Sequence, residues 1–360
     1  MGPNLWRIPL ILACTAAVLP FLPRRFDSAG HQAELLFGFV PLLILGFMTV
    51  ALPRWLGRAM TPEWLPSLLT AVHAPALATR FLDLPAGLAA QSLAAAVFSI
   101  ALLANVAYAK AWRSLYPAAL AALLSGAAVA ESFTAASGLL VGVAAVVLLC
   151  IEIGNRIAVA LAAAALELRG VPTLPAVPAA LVWTERIASA AALGAWAVGI
   201  PSIPMILLAT GAGLRRLQLL RPMSSHTTPG VLGILTGLGW CHIGTGLLAL
   251  YVAEWVPAAA PLHAWAIGGV GMLGIGIVTS IVRKKERTPF GRSRVAEFAL
   301  VACGAAAFVR IAAAGLEEPP ALLFAGARFL WVAAFCLCIG ILLRQPVWSR
   351  SCPPPSASPS

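Results

Sequence analysis

A histidine and a glutamate near the amino terminus have the spacing of a small metal site. His31 and Glu34 are three residues apart, so a helix that begins there would present both side chains on one face. An imidazole and a carboxylate can hold a metal ion together, and helical bundles build di-metal sites with this kind of spacing. The same pair also suits helix capping and ordinary hydrogen bonding, so both interpretations stay open.

A second histidine and three arginines are possible partners of that pair. His263 begins another apolar segment, and two histidines from different helices can ligate a haem iron or a copper ion. Arg80, Arg310 and Arg328 can neutralise the carboxylates of a haem or bind a small anion. The alternative is that these arginines pair with carboxylates of the protein itself, those of Asp83, Glu131 and Glu317.

The composition requires that lipid surrounds the helices which carry these residues. Of 360 residues, 61% are hydrophobic and only 10% are charged, too few charges to cover the surface of a soluble protein. A helix that crosses the hydrocarbon core needs about 20 apolar residues. Twelve segments meet this requirement and predict an all-α bundle of transmembrane helices: 5–23, 34–53, 64–82, 86–109, 116–133, 137–168, 181–199, 202–220, 229–254, 260–282, 295–315 and 320–343.

The positions of the basic residues predict the orientation of this bundle. If the amino terminus is cytoplasmic, the outer loops hold only Arg24 and Arg25, and nearly all other loop arginines and lysines are inside. Such an excess of positive charge marks cytoplasmic loops, so both termini are predicted to be cytoplasmic. The net charge of +11 is then explained by topology and by anionic lipid, and not by nucleic acid. His31, Glu34, His263, Arg310 and Arg328 all map to the outer ends of their helices.

Two further pairs of charged residues fall inside predicted helices. Glu152 and Arg156 are one turn apart, which suggests an ion pair that neutralises itself. Glu185 and Arg186 lie near the start of a helix and are predicted to reach the cytoplasmic interface. Charges at membrane depth are costly, so each of these residues also suggests a functional site.

Several features of the sequence limit the kinds of metal or catalytic site that it can form. His73 and His242 fall near mid-membrane, where a single histidine more often bonds a backbone carbonyl than a metal. The seven cysteines form no Cys-x-x-Cys pattern, so thiolate zinc and covalent haem have no motif. The sequence also has no glycine-rich phosphate loop and no nucleophile elbow. Any chemistry is therefore expected to come from a bound cofactor.

No domain boundary interrupts the chain. Residues 1–344 are predicted to form a single transmembrane helical domain, because the polar connections between the apolar segments are short. The last residues, 345–360, are rich in proline and serine and are predicted to be a disordered cytoplasmic tail.

Two stretches of the sequence resemble the NnrS family. HQAELLFGF at 31–39, followed by ALPRWLGR at 51–58, is similar to the family pattern Trp-His-x-His-Glu-Met-Leu-Phe-Gly-Phe and its later Ala-Val-Pro-Asn-Trp-Thr-Gly-Arg. LHA at 262–264 with the glycine-rich stretch 267–276 resembles the family's His-Ala-Leu-Thr-x-Gly-x-x-Gly helix. Arg80 and the closing span fit as well, so the resemblance covers nearly the whole chain in the same order.

The resemblance implies a multi-pass protein of the bacterial inner membrane that binds haem and copper. NnrS proteins are associated with nitric oxide metabolism and with resistance to nitrosative stress, so nitric oxide is the implied small ligand. His31 and His263 would be metal ligands, Glu34 a ligating or supporting carboxylate, and Arg80, Arg310 and Arg328 would contact the cofactor.

This chain departs from the family pattern at several positions. Gly30 and Ala33 stand where the family has tryptophan and a second histidine, and Lys285 lies in a basic run that replaces a later histidine. Of the family's recurring histidines only His31 and His263 remain. Two alternatives are therefore kept: a membrane transporter or channel for a small anion or a proton-coupled solute, and a structural relative that binds no metal.

Overall fold

The described part of the chain folds entirely into helices. A computed structural model describes residues 6–21, 32–58, 62–81, 86–133, 138–167, 177–220, 228–286 and 293–344. No strand occurs within these ranges. The helices are α1 Arg7–Phe21, α2 Gln32–Leu56, α3 Leu65–Phe81, α4 Ala86–Tyr108, α5 Leu115–Phe133, α6 Leu139–Glu167, α7 Ala179–Ala197, α8 Ile203–Leu220, α9 Pro229–Val252, α10 259–286, α11 Arg294–Ala314 and α12 Ala321–Leu343.

Every apolar segment of the sequence contains one of these helices. Over the described ranges, nine are long and apolar enough to cross a membrane, and α1 and α3 are shorter apolar helices. The helix α7, which carries Glu185 and Arg186, is not among the nine. The chain is therefore a helical membrane protein. The predicted tail 345–360 lies outside the described residues.

Helices that follow one another in the sequence pack against one another, and α1 also packs against α12. The central helices are α2 and α10. In the most apolar stretch of each, 78% and 83% of the residues are buried, whereas only 28% are buried in the corresponding stretch of α12. Glycines bring α10 close to α9: a β-carbon on Gly276 would lie 2.8 Å from the backbone nitrogen of Ile234. Such close approach lets helices associate in lipid, where apolar side chains alone give no preference.

Both central helices are wound irregularly near their beginnings. A π-helical segment covers Leu35–Phe39 in α2, and another covers Ala264–Gly271 in α10. Segments of this kind are uncommon and often occur at functional sites. The second one begins directly after His263, and the first lies just after the predicted His31–Glu34 pair.

The two ends of the bundle differ in charge. Because successive helices alternate in direction, even-numbered helices begin and odd-numbered helices end at one end, called here the cavity end. At the opposite end, called the basic end, most of the cations of the described helices and their flanking turns are found. These are Arg7, Arg54, Arg58, Lys110, Arg113, Arg215, Arg216, Arg283, Lys284, Lys285, Arg294 and Arg344.

Candidate ligand-binding cavity

A cavity of about 680 Å³ opens at the cavity end of the bundle. Its walls come from the end of α1, the beginnings of α2, α6, α10 and α12, and the last turns of α11. Most of the lining is apolar, and the polar side chains are few: Gln32, His263, Arg310 and Arg328. A volume of this size and a lining with a few convergent polar groups are typical of small-molecule and cofactor sites.

His263 is held in one tautomer at the edge of this cavity. Its Nδ1 lies 2.7 Å from the carbonyl oxygen of Ala259, one turn earlier in the same helix. Since a carbonyl only accepts, Nδ1 carries the proton and Nε2 keeps the lone pair. That lone pair accepts a hydrogen bond of 3.0 Å from Nε of Arg310. An imidazole oriented in this way by a backbone carbonyl has the arrangement that metal-binding histidines usually show.

No carboxylate of the described residues forms an ion pair with either arginine of the cavity. Arg310 is partly buried and its guanidinium lies 4.4 Å from the ring centre of Phe324, whereas Arg328 is exposed. Two adjacent guanidinium groups on one cavity can bind carboxylate or phosphate oxygens through paired hydrogen bonds.

The alternative that these arginines pair with carboxylates of the chain finds no support at the described positions. The side chain of Glu131 accepts a hydrogen bond of 2.8 Å from the backbone N–H of Gly138. Glu317 is exposed in the turn between α11 and α12, and Asp83 lies outside the described residues.

Two tryptophans present apolar faces to the cavity. Nε1 of Trp265 donates to the carbonyl oxygen of Cys241 at 3.0 Å, and Nε1 of Trp331 donates to that of Ala17 at 2.7 Å. Both indole N–H groups are therefore satisfied by the backbone behind the wall. Phe39 packs edge-on against Trp331, with ring centres 6.4 Å apart. The two tryptophans thus offer flat apolar surfaces and no spare indole donor.

The remaining predicted site residues are placed as follows. His31 lies outside the described residues, and Arg80 belongs to α3 but its side chain is not described. Glu34 is buried but does not line the cavity. Its carboxylate lies instead on the α4 side of α2. A β-carbon added to Gly38 would lie 3.4 Å from Oε2 of Glu34 and 3.7 Å from Oε1 of Gln91, a residue of α4. The structure thus brings His263, Arg310 and Arg328 together and sets Glu34 apart from them.

A second polar cluster, which the sequence did not predict, lies inside the bundle toward the basic end. Its centre is Glu185 of α7, which is completely buried and does not reach the interface as predicted. Its carboxylate accepts hydrogen bonds from Arg216 of α8 at 2.5 Å and from Asn155 of α6 at 3.1 Å. Nε2 of His242, on α9, lies 3.3 Å from the same carboxylate. Four helices therefore meet at one carboxylate.

The two mid-membrane histidines differ. His73 bonds the carbonyl oxygen of Leu69 through Nδ1 at 2.8 Å, which confirms its predicted structural role. His242 bonds no carbonyl and lies beside Glu185, so its prediction was wrong. The signal in the sequence was the presence of an acid, a base and a histidine on successive helices, but their depths alone do not show that they meet.

The predicted pair of Glu152 and Arg156 is confirmed and has a third member. Arg156 contacts Glu152 at 2.6 Å, and Arg186 of α7 contacts it at 2.7 Å. Arg156 also donates to the backbone carbonyl of Arg113, in the connection between α4 and α5. The carboxylate is buried while both arginines are about a quarter exposed, at 25% and 26%. These contacts therefore link α6 to α7 and to the connection between α4 and α5 at the basic end.

The described residues contain no group of three or more His, Cys, Asp or Glu side chains that could hold a metal ion. A metal at the cavity would therefore rest on His263 and on a ligand from elsewhere, such as a porphyrin or His31.

Comparison with known proteins agrees with this architecture. No curated protein sequence matches the chain. The family model described as NnrS protein matches residues 5–345, which include all twelve helices and both central π-helical segments. The chain therefore belongs to the NnrS family.

Proposed function

We propose that the cavity binds haem, which His263 would hold through its iron and Arg310 and Arg328 through its carboxylates. The observation that carries this proposal is the convergence of one oriented imidazole and two guanidinium groups without a carboxylate partner among the described residues on one apolar cavity of about 680 Å³. We further propose that all twelve helices cross the inner membrane of a bacterium. The basic end then faces the cytoplasm and the cavity faces outward.

The residues of the cavity fit such a group in three respects. Nε2 of His263 carries the lone pair that an axial ligand needs, and the carbonyl of Ala259 keeps it so. Arg310 donates to that nitrogen in the structure, so haem binding would require its guanidinium to turn from Nε2 to a haem carboxylate, whose charge it matches. The satisfied indoles of Trp265 and Trp331 leave apolar surfaces on either side, and such surfaces exclude water from a flat macrocycle.

Haem held by one histidine supplies an iron that can bind a diatomic gas. In this proposal the gas is nitric oxide, and the protein takes part in the response to nitrosative stress. The chain's own contribution is to fix the imidazole, to neutralise the carboxylates and to surround the site with apolar walls.

Copper is the second part of the proposal, and it depends on His31. Neutral imidazoles are good copper ligands, and His263 is the one histidine among the described residues that line the cavity. A copper site therefore requires His31, with Glu34 as a supporting carboxylate. Replacing His31 with alanine should lower the copper content of the purified protein and leave the haem content unchanged.

The test of the haem proposal is the absorption spectrum of the purified protein and of two histidine variants. Wild-type protein should show a Soret band that shifts when nitric oxide is added, and His263→Ala should lose most of it. His73→Ala is the matched control, because His73 also bonds a carbonyl through Nδ1 but does not line the cavity. A folded His263→Ala variant that retains all of its haem would exclude this ligand.

A binding site for a small anion is the competing function, and it is favoured by the same two arginines. In that case the purified protein has no Soret band, and Arg310→Gln abolishes binding of the anion. The two functions are therefore separated by the spectrum of the wild-type protein alone.

A further inference from the structure

The second polar cluster contains one group more than its charge balance needs. Glu185 and Arg216 already neutralise each other at 2.5 Å, and Asn155 donates to the other carboxylate oxygen. A buried pair with its remaining lone pairs bonded is a complete structural unit. His242 adds a fourth, titratable group whose side chain is only 1% exposed.

His242 is poorly satisfied as a neutral side chain. Its Nε2 approaches Glu185 at 3.3 Å, but neither ring nitrogen makes a well-aligned hydrogen bond. A buried polar group without a partner costs free energy that an apolar side chain would avoid. The ring is nevertheless given room: a β-carbon on Gly213 of α8 would lie 2.0 Å from its Cε1. The packing therefore leaves room for the imidazole of His242, although the helices do not need this side chain in order to associate.

We propose that Glu185 and His242 form a proton-binding site buried between α6, α7, α8 and α9. Without the extra proton the cluster of Glu185, Arg216 and neutral His242 carries no net charge. With the proton on His242 the cluster carries one positive charge, and the carboxylate of Glu185 stabilises the imidazolium. Chains of acidic groups and histidines inside membranes commonly serve as proton relays.

The surroundings of the site favour entry of the proton from the basic end. Arg216 lies near the last turn of α8 and its side chain is 11% exposed. On α6 and α7 the neighbouring charged groups are Glu152, Arg156 and Arg186, whose two arginines are partly exposed. On α9 itself the titratable neighbour is the thiol of Cys241, which is buried. The charged groups around His242 thus extend toward the basic end.

One residue links this site to the wall of the cavity. Trp265 lines the cavity, and its Nε1 donates to the carbonyl of Cys241, the residue that precedes His242. The backbone of α9 next to His242 is therefore in contact with a side chain of the cavity wall. The proposal does not depend on haem, because it rests only on the residues of α6 to α9.

The test is nitrogen NMR of the purified full-length protein, labelled with ¹⁵N-histidine and titrated between about pH 5 and pH 8, the range in which histidines change charge. His242→Gln identifies the signals of His242. In the wild type these signals should move from the imidazole to the imidazolium position as the pH falls. In Glu185→Gln, which keeps the shape of the side chain, they should stay at the imidazole position throughout.

His73 is the internal reference, because it is buried at a similar depth without a charged partner among the described contacts, and it should stay neutral. If the His242 signals of the wild type do not move, no proton binds there and the proposal is wrong. If they move equally in Glu185→Gln, the carboxylate is not part of the site. Should Glu185→Gln fail to fold, the wild-type titration against His73 still decides.

Discussion

The cavity and the buried cluster around Glu185 hold their ionisable residues in opposite ways. At the buried cluster, Glu185 is paired with Arg216 and bonded to Asn155, so the charges are balanced within the protein. At the cavity, Arg310 and Arg328 have no described carboxylate partner and face an open volume of about 680 Å³. A balanced buried cluster is costly to break, whereas arginines without a described carboxylate partner beside a cavity can bind an anionic ligand.

The backbone conformation also differs between the buried cluster and the cavity. The helices at the buried cluster are regular α-helices, and Glu185, Asn155 and His242 come from their middle or early turns. At the cavity, α2 and α10 each contain a π-helical segment. Irregular winding is tolerated at membrane depth where the backbone lines a cavity. Regular helices thus carry the balanced cluster, whereas the cavity is lined by two helices with π-helical segments together with regular ones.

The largest effect on stability is expected from Glu185→Ala. The substitution leaves the guanidinium of Arg216 buried without its partner, and breaking a buried pair in this way costs about 3–5 kcal/mol. The midpoint of unfolding in detergent, measured by circular dichroism, should fall accordingly. Glu317→Ala, in an exposed turn, is the control and should leave the midpoint unchanged. Equal midpoints for the two variants would contradict the view that the buried cluster holds the helices together.

A smaller loss is expected from Gly213→Ala. The new methyl group would meet the buried ring of His242 at 2.0 Å, and overpacking of this kind costs about 1–3 kcal/mol. Gly211→Ala in the same helix is the matched control, since nothing lies within 4 Å of its added β-carbon. Alanine there should stabilise the helix slightly, by about 0.5–1 kcal/mol. If both alanines were equally tolerated, His242 would not fill the space beside Gly213.

At the cavity, substitutions should change ligand binding and leave stability nearly intact. Arg310→Gln removes a charged partner of the proposed haem carboxylates, and losing one charge-assisted interaction should weaken binding about tenfold. The affinity is measured by titrating haem into the haem-free protein. Arg328→Gln should act in the same direction but less, because Arg328 is more exposed. If Arg310→Gln strongly lowered the stability and left the haem affinity unchanged, the arginine would have a structural role, and the contrast drawn here between the cavity and the buried cluster would be wrong.

The least disruptive experiment asks on which side of the membrane each end lies. Reporter fusions at Lys285, at the basic end, should report a cytoplasmic location. Fusions at Glu317, at the cavity end, should report an external one. Both sites lie at helix ends, so the fusions should leave the core intact. A cytoplasmic signal at Glu317 would place the cavity on the inner side and overturn the orientation.

Several features of the candidate site were predictable because they depend on position along the chain. Because successive helices alternate in direction, the beginning of α10, the end of α11 and the beginning of α12 lie at one end of the bundle. His263, Arg310 and Arg328 lie at these points, so their meeting follows from connectivity. Glu34 was predicted to join them, but it lies on the α4 side of α2 beside Gln91. Membrane depth says nothing about which neighbour a helix face meets.

The sequence by itself determined the class of protein, the positions of the helices and the charge difference between the two ends, since these follow from apolar length and from the order of residues. The family resemblance was likewise present in the residues. Only the tertiary structure decided that Glu185 is buried and that Arg216, Asn155 and His242 reach it from three other helices. The physical reason is that burial and pairing depend on which helix faces touch. In lipid those contacts are selected by close packing at small residues such as Gly213, and hydrophobicity alone does not encode them.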